Sequence, residues 1–255
     1  MIVSFSGGKD STAMLHWLIE RGEDIEAVVW FDTGWEFPEM AAHVDQVERQ
    51  TGLPVTRLTP KLPFDYELTA KPVAKRGTAA VHRHGLGWPN ALRRWCTGRK
   101  MDVIRTFAKG HSGPMCMGFA ADEQARTLRA DGGVPRRYPL IEAGMTEADA
   151  LAYCKRLGYH WRGLYDLFPR VSCYCCPLQS LQELRTLRHR RPGLWATMRE
   201  KGQQIRHPLG QRFHHEATLE DLEVRFANED RQGVLAFAAA DEPVPEPGQY
   251  GKGDA

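Results

Sequence analysis

Val3-Ser4-Phe5-Ser6-Gly7-Gly8-Lys9-Asp10-Ser11 is a short apolar strand running into two glycines, a lysine and a hydroxyl. Apolar side chains then follow at Ala13, Met14, Trp17 and Leu18, a helical spacing that leaves one face to pack. The two glycines let the backbone approach an anion closely, and the helix behind them offers unpaired N–H groups and the positive end of its dipole. Lys9 adds a full charge, and Ser6 and Ser11 add hydroxyl donors. Strand, glycine turn and helix N-terminus in this order make an anion-gripping loop.

A Walker loop needs a glycine, four residues and then Gly-Lys-Ser/Thr. Here Asp10 follows the lysine and no glycine stands at the first position, which excludes a P-loop kinase or GTPase.

Outward from the loop, a second apolar run, Ile25 to Phe31, ends at Asp32-Thr33-Gly34-Trp35. Residues 37–50 then read as a helix with Pro38 in its first turn, and 55–58 as a third strand. Strand–helix–strand alternation predicts a parallel twisted α/β sheet with right-handed crossovers, with ligands at the carboxyl ends of the strands, where both the loop and Asp32 lie. Residues 60–90 read as a long loop over the site, 91–107 as a helix carrying Arg93, Arg94, Cys96 and Lys100, and 114–119 as a buried strand. A Thr146 N-cap opens a helix to Leu157. Helices near 179–190, 193–204 and 216–227 form a C-terminal helical appendage. The expected organisation is a nucleotide-binding α/β domain over 1–170, a cysteine segment with helices over 171–240, and a disordered tail over 241–255.

The 42% hydrophobic and 26% charged residues among 255 are ordinary globular usage, enough for a core without disulfide staples. No apolar run is long enough to span a membrane and no signal-peptide pattern opens the chain, so the cytoplasm is the expected compartment. The net charge of +2 is unevenly spread: Lys71, Lys75, Arg76, His82, Arg83, His84, Arg93, Arg94, Arg99 and Lys100 fall within thirty residues, and Arg185, Arg188, His189, Arg190 and Arg191 form a second cluster. Both suit a phosphate-rich ligand or a solvated face.

Ser6-Gly7-Gly8-Lys9-Asp10-Ser11 resembles the signature of the PP-loop ATP pyrophosphatases, the adenine nucleotide alpha hydrolases. Asp32-Thr33-Gly34-Trp35, Arg94-Trp95-Cys96 with Lys100, and Asp122-Glu123-Gln124-Ala125-Arg126 look like its phosphoadenosine phosphosulfate (PAPS) reductase branch. That branch includes sulfonucleotide reductases, the ATP sulfurylase small subunit and the sulfur-incorporating component of DNA phosphorothioation systems. The resemblance implies that the loop holds the pyrophosphate of ATP while the α-phosphate is attacked. Sulfonucleotide reductases use a nucleophilic cysteine near the C-terminus, whereas the last cysteine here is Cys176, and the intact glycines and lysine resemble the ATP-using members.

Cys173 and Cys176 have C-x-x-C spacing, with Cys175 between them and Pro177 after, a pattern suited to one tetrahedral metal centre. The resemblance to APS reductases, which join an upstream cysteine pair to a downstream C-x-x-C around a [4Fe-4S] cluster, adds Cys96 as an upstream ligand; Trp95 replaces the first member of the pair, so the fourth ligand is either Cys175 or absent, leaving one iron open to sulfide or a substrate. Zinc is the alternative. Cys116, in an apolar strand, and Cys154, within a helix, read as buried core thiols, and His43, His160 and His207 as packing residues.

The expected function is thus ATP cleavage between the α and β phosphates to adenylate a substrate, coupled to iron–sulfur-assisted sulfur transfer. Ser6, Gly7, Gly8, Lys9 and Ser11 would hold the β and γ phosphates, Asp10 would orient the loop or assist Mg²⁺, Asp32 would lie near the ribose or adenine, and Lys100 or Arg126 would stabilise charge at the α-phosphate. The implied partners are ATP, an anionic substrate with nucleic acid among its forms, a sulfur-donor or reductant protein, and a second copy of the chain. The alternatives are sulfonucleotide reduction and a nucleotide-sensing or nucleic-acid-binding module.

Overall fold

The computed structural model describes residues 1–75, 77–128, 134–171, 173–215 and 217–233. The chain begins β1 (Ile2–Phe5), α1 (Lys9–Glu20), β2 (Ala27–Phe31), α2 (Glu39–Thr51) and β3 (Val55–Leu58). It continues through α3 (Phe64–Thr69), β4 (Pro72–Ala74), β5 (Val81–His84), α4 (Trp95–Ala108) and β6 (Met115–Met117). A 3₁₀ segment (Ala121–Leu128) leads to β7 (Arg136–Arg137), α5 (Pro139–Glu142), α6 (Glu147–Arg156), a second 3₁₀ turn (Trp161–Gly163) and α7 (Leu164–Leu167). The remainder is α8 (Leu181–Arg190), α9 (Pro192–Gln203), α10 (Pro208–Gln211), β8 (Arg212–His214), β9 (Ala217–Thr218) and α11 (Leu219–Arg231). Among the described residues no helix is long and apolar enough to cross a membrane.

Two compact units are present, one of residues 1–61 with 97–172, the other of 62–96 with the residues from Cys173 onward. In this division residues 62–96 belong with the later part of the chain. The tail expected over 241–255 lies outside the described residues.

In the first unit five strands lie in the order β3-β2-β1-β6-β7, and every pair is parallel. Val3 pairs Val28 on one side and Cys116 on the other. With neighbours on both edges and helices on the faces, β1 must be apolar on both sides, and Ile2, Val3 and Phe5 are each buried. From β1 the chain steps to β2 and β3 in one direction, while β6 and β7 lie in the other. The carboxyl end of β1 is thus the topological switch point, where open α/β sheets bind ligands.

Helix α1 buries Ala13, Met14, Leu15 and Leu18. Trp17 departs from the expected face: it is half-buried and carries the Arg21 guanidinium 4.7 Å above its ring. Thr146 caps α6 as the sequence suggests, and its side chain accepts from the Asp149 N–H while Asp149 accepts from the Thr146 N–H.

In the second unit residues 60–90 depart from the expected loop. They form α3 and the antiparallel β4–β5 hairpin, with Val73 opposite Arg83. Two glycines fix the hairpin: Gly85 (φ +77°) lies where a Cβ would be 2.4 Å from the Leu68 carbonyl oxygen, and Gly87 (φ +74°) where it would be 2.3 Å from Gly210 Cα. Backbone this close tolerates only hydrogen at Cα. The Gly85, Leu86 and Trp88 N–H groups donate to Lys71, Glu67 and Gly210 carbonyls.

The capping box yields a stability test. Thr146→Ala is expected to lower unfolding free energy by about 1 kcal/mol, and urea titration should show a lower midpoint at unchanged slope.

Candidate nucleotide-binding site

The loop expected from the sequence sits at the carboxyl end of β1, and its conformation is dictated residue by residue. Gly7 adopts φ +79°, and a Cβ there would lie 2.7 Å from Met40 Cε. Gly8 is extended and caps α1 without a side chain, where a Cβ would meet the Tyr165 hydroxyl at 3.2 Å. Ser11 closes the turn from within: its Oγ accepts from the Ser6 N–H at 3.1 Å and donates to the Gly8 carbonyl at 3.0 Å. Ser6 Oγ lies 3.0 Å from Ser11 Oγ and is the more exposed hydroxyl.

Lys9 is buried, and an ammonium out of water needs opposite charge. Glu147, the first residue of α6, meets its Nζ at 2.5 Å, and Asp10 Oδ2 at 3.2 Å. Asp122 carboxylate oxygens accept from the Glu147 N–H at 3.2 and 3.4 Å, so the acidic segment over 122–126 positions the carboxylate that positions the lysine. Burial raises the Asp10 carboxyl to about 6, against the lowering pull of Lys9 and with smaller help from Glu147 and Glu123. Its Oδ1 is buried without a hydrogen-bond partner among the described residues.

Residues 161–167 hold the loop from behind. Trp161 Nε1 donates to the Gly7 carbonyl at 2.7 Å, and the Lys9 N–H donates to the Tyr165 hydroxyl at 2.7 Å. Trp161 (φ 45°), Arg162 (φ 50°) and Gly163 (φ 82°) make three consecutive left-handed residues, a strained turn that sends both aromatic rings to one target. Burial pushes the Tyr165 phenol well above its ordinary range, so it keeps its proton, and that proton has no acceptor among the described residues. His43 packs beneath, its Nε2 3.0 Å from Thr12 Oγ1 and its ring stacked on Trp161; burial lowers it to about 3. It is a core histidine, as expected.

Beside the loop, Asp32 Oδ1 accepts from the Gly34 N–H at 2.8 Å, and Thr33 Oγ1 donates to Glu36 at 3.0 Å. Lys100 lies 6.0 Å over the Phe31 ring, and its charge opposes the upward shift that burial gives the Glu36 carboxyl. Arg126 pairs with Glu123 and stacks 4.3 Å over Phe119. Sequence reasoning missed Glu147, Tyr165, Trp161 and Glu36. Only Glu147 left a trace, as the acidic residue following the Thr146 cap.

These features, a glycine loop at the β1 switch point with a buried lysine at the helix start, accompany a match of residues 1–179 to the model of the phosphoadenosine phosphosulfate reductase domain. The chain belongs to the PAPS reductase domain family. It is also 26% identical over 207 residues to an uncharacterized protein of Methanocaldococcus jannaschii, a match that takes in 76% of this chain. The chain spans 40% of that relative's length.

The second unit holds the cysteines that the sequence reading joined to this PAPS reductase domain. The Cys176 N–H donates to the Cys173 carbonyl at 3.2 Å, and the two thiols are hydrogen-bonded. That bond and burial hold the Cys176 thiol above its ordinary range against the Arg94 charge. Cys175 is buried and Cys96 is half-buried near the start of α4. Among the described residues no three His, Cys, Asp or Glu side chains assemble to hold a metal ion. Cys116 and Cys154 are the core thiols expected, raised by burial to about 11 and 12, and Cys154 Sγ donates to the Lys9 carbonyl.

The Asp10 shift gives a pH test. The folded state keeps the Asp10 proton to about pH 6 while the unfolded chain releases it near 3.8, so this carboxyl costs stability as pH rises through that window. Asp10→Asn is expected to gain stability relative to the parent between pH 4 and 7, by on the order of 2–3 kcal/mol at full ionisation. Thermal melts across pH check this, and a pH-independent difference would exclude the shift.

Proposed function

We propose that this PAPS reductase family member binds ATP in the residue 6–11 loop and cleaves it between the α and β phosphates, adenylating an anionic acceptor that then enters sulfur transfer. The observation that carries this reading is the buried Lys9 ammonium, held by two carboxylates at a helix N-terminus directly after two glycines. An incoming triphosphate would replace those carboxylates with phosphate oxygens. Gly7, Gly8 and Lys9 would grip the β and γ phosphates, with Ser6 and the Tyr165 hydroxyl donating to their oxygens. Ser11, consumed by the loop itself, holds the turn. Asp32 would lie toward the ribose or adenine, and Lys100 or Arg126 would face charge at the α-phosphate.

The acceptor's anionic oxygen attacks the α-phosphorus, the bond to the bridging oxygen of the β-phosphate breaks, and pyrophosphate leaves. An already ionised nucleophile needs no general base. The unsatisfied Asp10 Oδ1 fits a hard cation that shares its shell with phosphates, so Asp10 would hold Mg²⁺, which when bound supplies charge neutralisation of the leaving pyrophosphate.

The sulfur step rests on the family and on the Cys173–Cys176 pair. A [4Fe-4S] cluster, or zinc in its place, would be held through these two, with Cys96 and Cys175 as the remaining candidates. The adenylation step as written above draws on none of these thiols. Reduction of a sulfonucleotide by the thiol pair is the second reading, favoured by the hydrogen bond between the two thiols.

Labelled ATP with candidate acceptors should yield AMP-linked product and pyrophosphate. Orthophosphate with ADP would exclude adenylation, sulfite from a sulfonucleotide would establish reduction, and unchanged nucleotide would leave a sensor. Lys9→Ala should weaken ATP binding by about 1–3 kcal/mol in calorimetry. Anaerobically purified protein is expected to carry iron or zinc that Cys173→Ser and Cys176→Ser each release. Metal-free protein whose two thiols are freely alkylated would remove the metal site.

A further inference from the structure

The chain carries two basic clusters, and they differ in what answers their charge. In the later one Arg185 meets Glu229 at 2.7 Å, Arg188 meets Glu223 at 3.0 Å and Asp230 at 2.5 Å, and His189 lies 3.1 Å from Asp230. Arg199 likewise meets Glu220 at 2.6 Å. These cations fasten α8 and α9 to the acidic face of α11, and their field is spent inside the second unit.

The earlier cluster has no such counterweight. Residues 62–96 contain six Lys and Arg but only Asp65 and Glu67 as acids, and both are occupied, Asp65 by Lys201 at 2.6 Å and Glu67 by Lys71. Lys75, Arg83, Arg93 and Arg94 form no ion pair among the described residues, and Lys75, Arg93 and Arg94 are exposed. Arg83 Nε is buried without a hydrogen-bond partner among the described residues, a donor that folding has taken from water without compensation. Burial first, then the nearby charges of Arg83, Arg93 and His82, hold His207 below the usual histidine range against a hydrogen bond with the Gly85 backbone. The mount is rigid, because Gly85 and Gly87 lock the hairpin against α3 and Gly210.

We infer that this face of the second unit binds the phosphodiester backbone of a nucleic acid, and that the acceptor of the proposed chemistry is accordingly a polynucleotide. Guanidinium forks without ion pairs on the hairpin and the neighbouring 93–94 segment match the repeated, singly charged phosphates of a nucleic-acid backbone. Fully exposed Leu92, at 95% accessibility beside Arg93, adds apolar contact to sugar or base. Phosphate contacts carry no sequence information, so binding is sequence-tolerant and salt-sensitive. In naming the acceptor the inference rests on the loop chemistry proposed above; the binding face stands apart from it.

The test is fluorescence anisotropy of a labelled DNA duplex and a labelled RNA hairpin, titrated with full-length protein at several salt concentrations, against a polyglutamate competitor. Binding is expected to weaken linearly in log–log salt, and the Lys75→Gln/Arg83→Gln/Arg93→Gln variant should reduce the slope by about two to three, given 0.7–0.9 per phosphate contact. The DNA and RNA arms tell which backbone is preferred. No binding at low salt, an unchanged slope in the triple variant, or equal competition by polyglutamate would each overturn the inference. Calorimetry with ATP separates the two readings: the triple variant should keep the parent's ATP affinity, and Lys9→Ala should lose ATP affinity while keeping oligonucleotide binding. Oligonucleotide binding without ATP binding in the parent would overturn the loop reading alone, and the reverse would overturn the surface alone.

Discussion

A primary ammonium with 5% of its residue exposed is the constraint around which the first unit is arranged. Removing such a charge from water costs several kcal/mol unless carboxylates stand against it. Glu147 and Asp10 do so, Asp122 fixes Glu147 through its backbone N–H, and the Thr146 cap fixes the helix that begins there. The cost reappears one residue on, where Asp10 keeps a proton up to about pH 6 and one oxygen goes without a partner. The site is held in a state that the polyphosphate and cation proposed above would relieve.

Much of this arrangement is legible in the chain because local rules and the fold agree. Ile2, Val3 and Phe5 are apolar and buried around a half-buried Ser4 in a strand flanked on both sides, the two glycines stand where the backbone turns, and Thr146 has an acidic residue at the right offset for a cap. The parallel sheet and the place of the loop at its switch point follow from those signals. What stayed hidden is held by long-range contact. Nothing near Tyr165 or Trp161 in sequence announces a phosphate loop, since their role exists only when α7 and the preceding turn return to β1.

The segment over 60–90 shows the opposite failure. Its prolines and glycines look like punctuation of an irregular loop, yet Gly85 and Gly87 are there because neighbouring backbone leaves no room for a Cβ, and the stretch between them and α3 is a hairpin. Charge was misleading in a similar way. Counting cations could not separate those that α11 neutralises from those left facing solvent; only their partners in the fold do. The cysteines are a similar case: spacing puts Cys173 and Cys176 three residues apart, and spacing cannot say which further thiols join them.

The contacts that complete the loop lie far along the chain: Lys9 reaches Glu147 across 138 residues and Tyr165 across 156. Such contacts are formed late, after the entropy of closing long loops has been met. During synthesis the glycine turn therefore emerges well before its partners and stays without the Glu147 counter-charge and its aromatic backing until the strained turn at 161–163 has left the ribosome. The grip on nucleotide is thus a late product of folding in the first unit, present only once its most distant crossovers are in place.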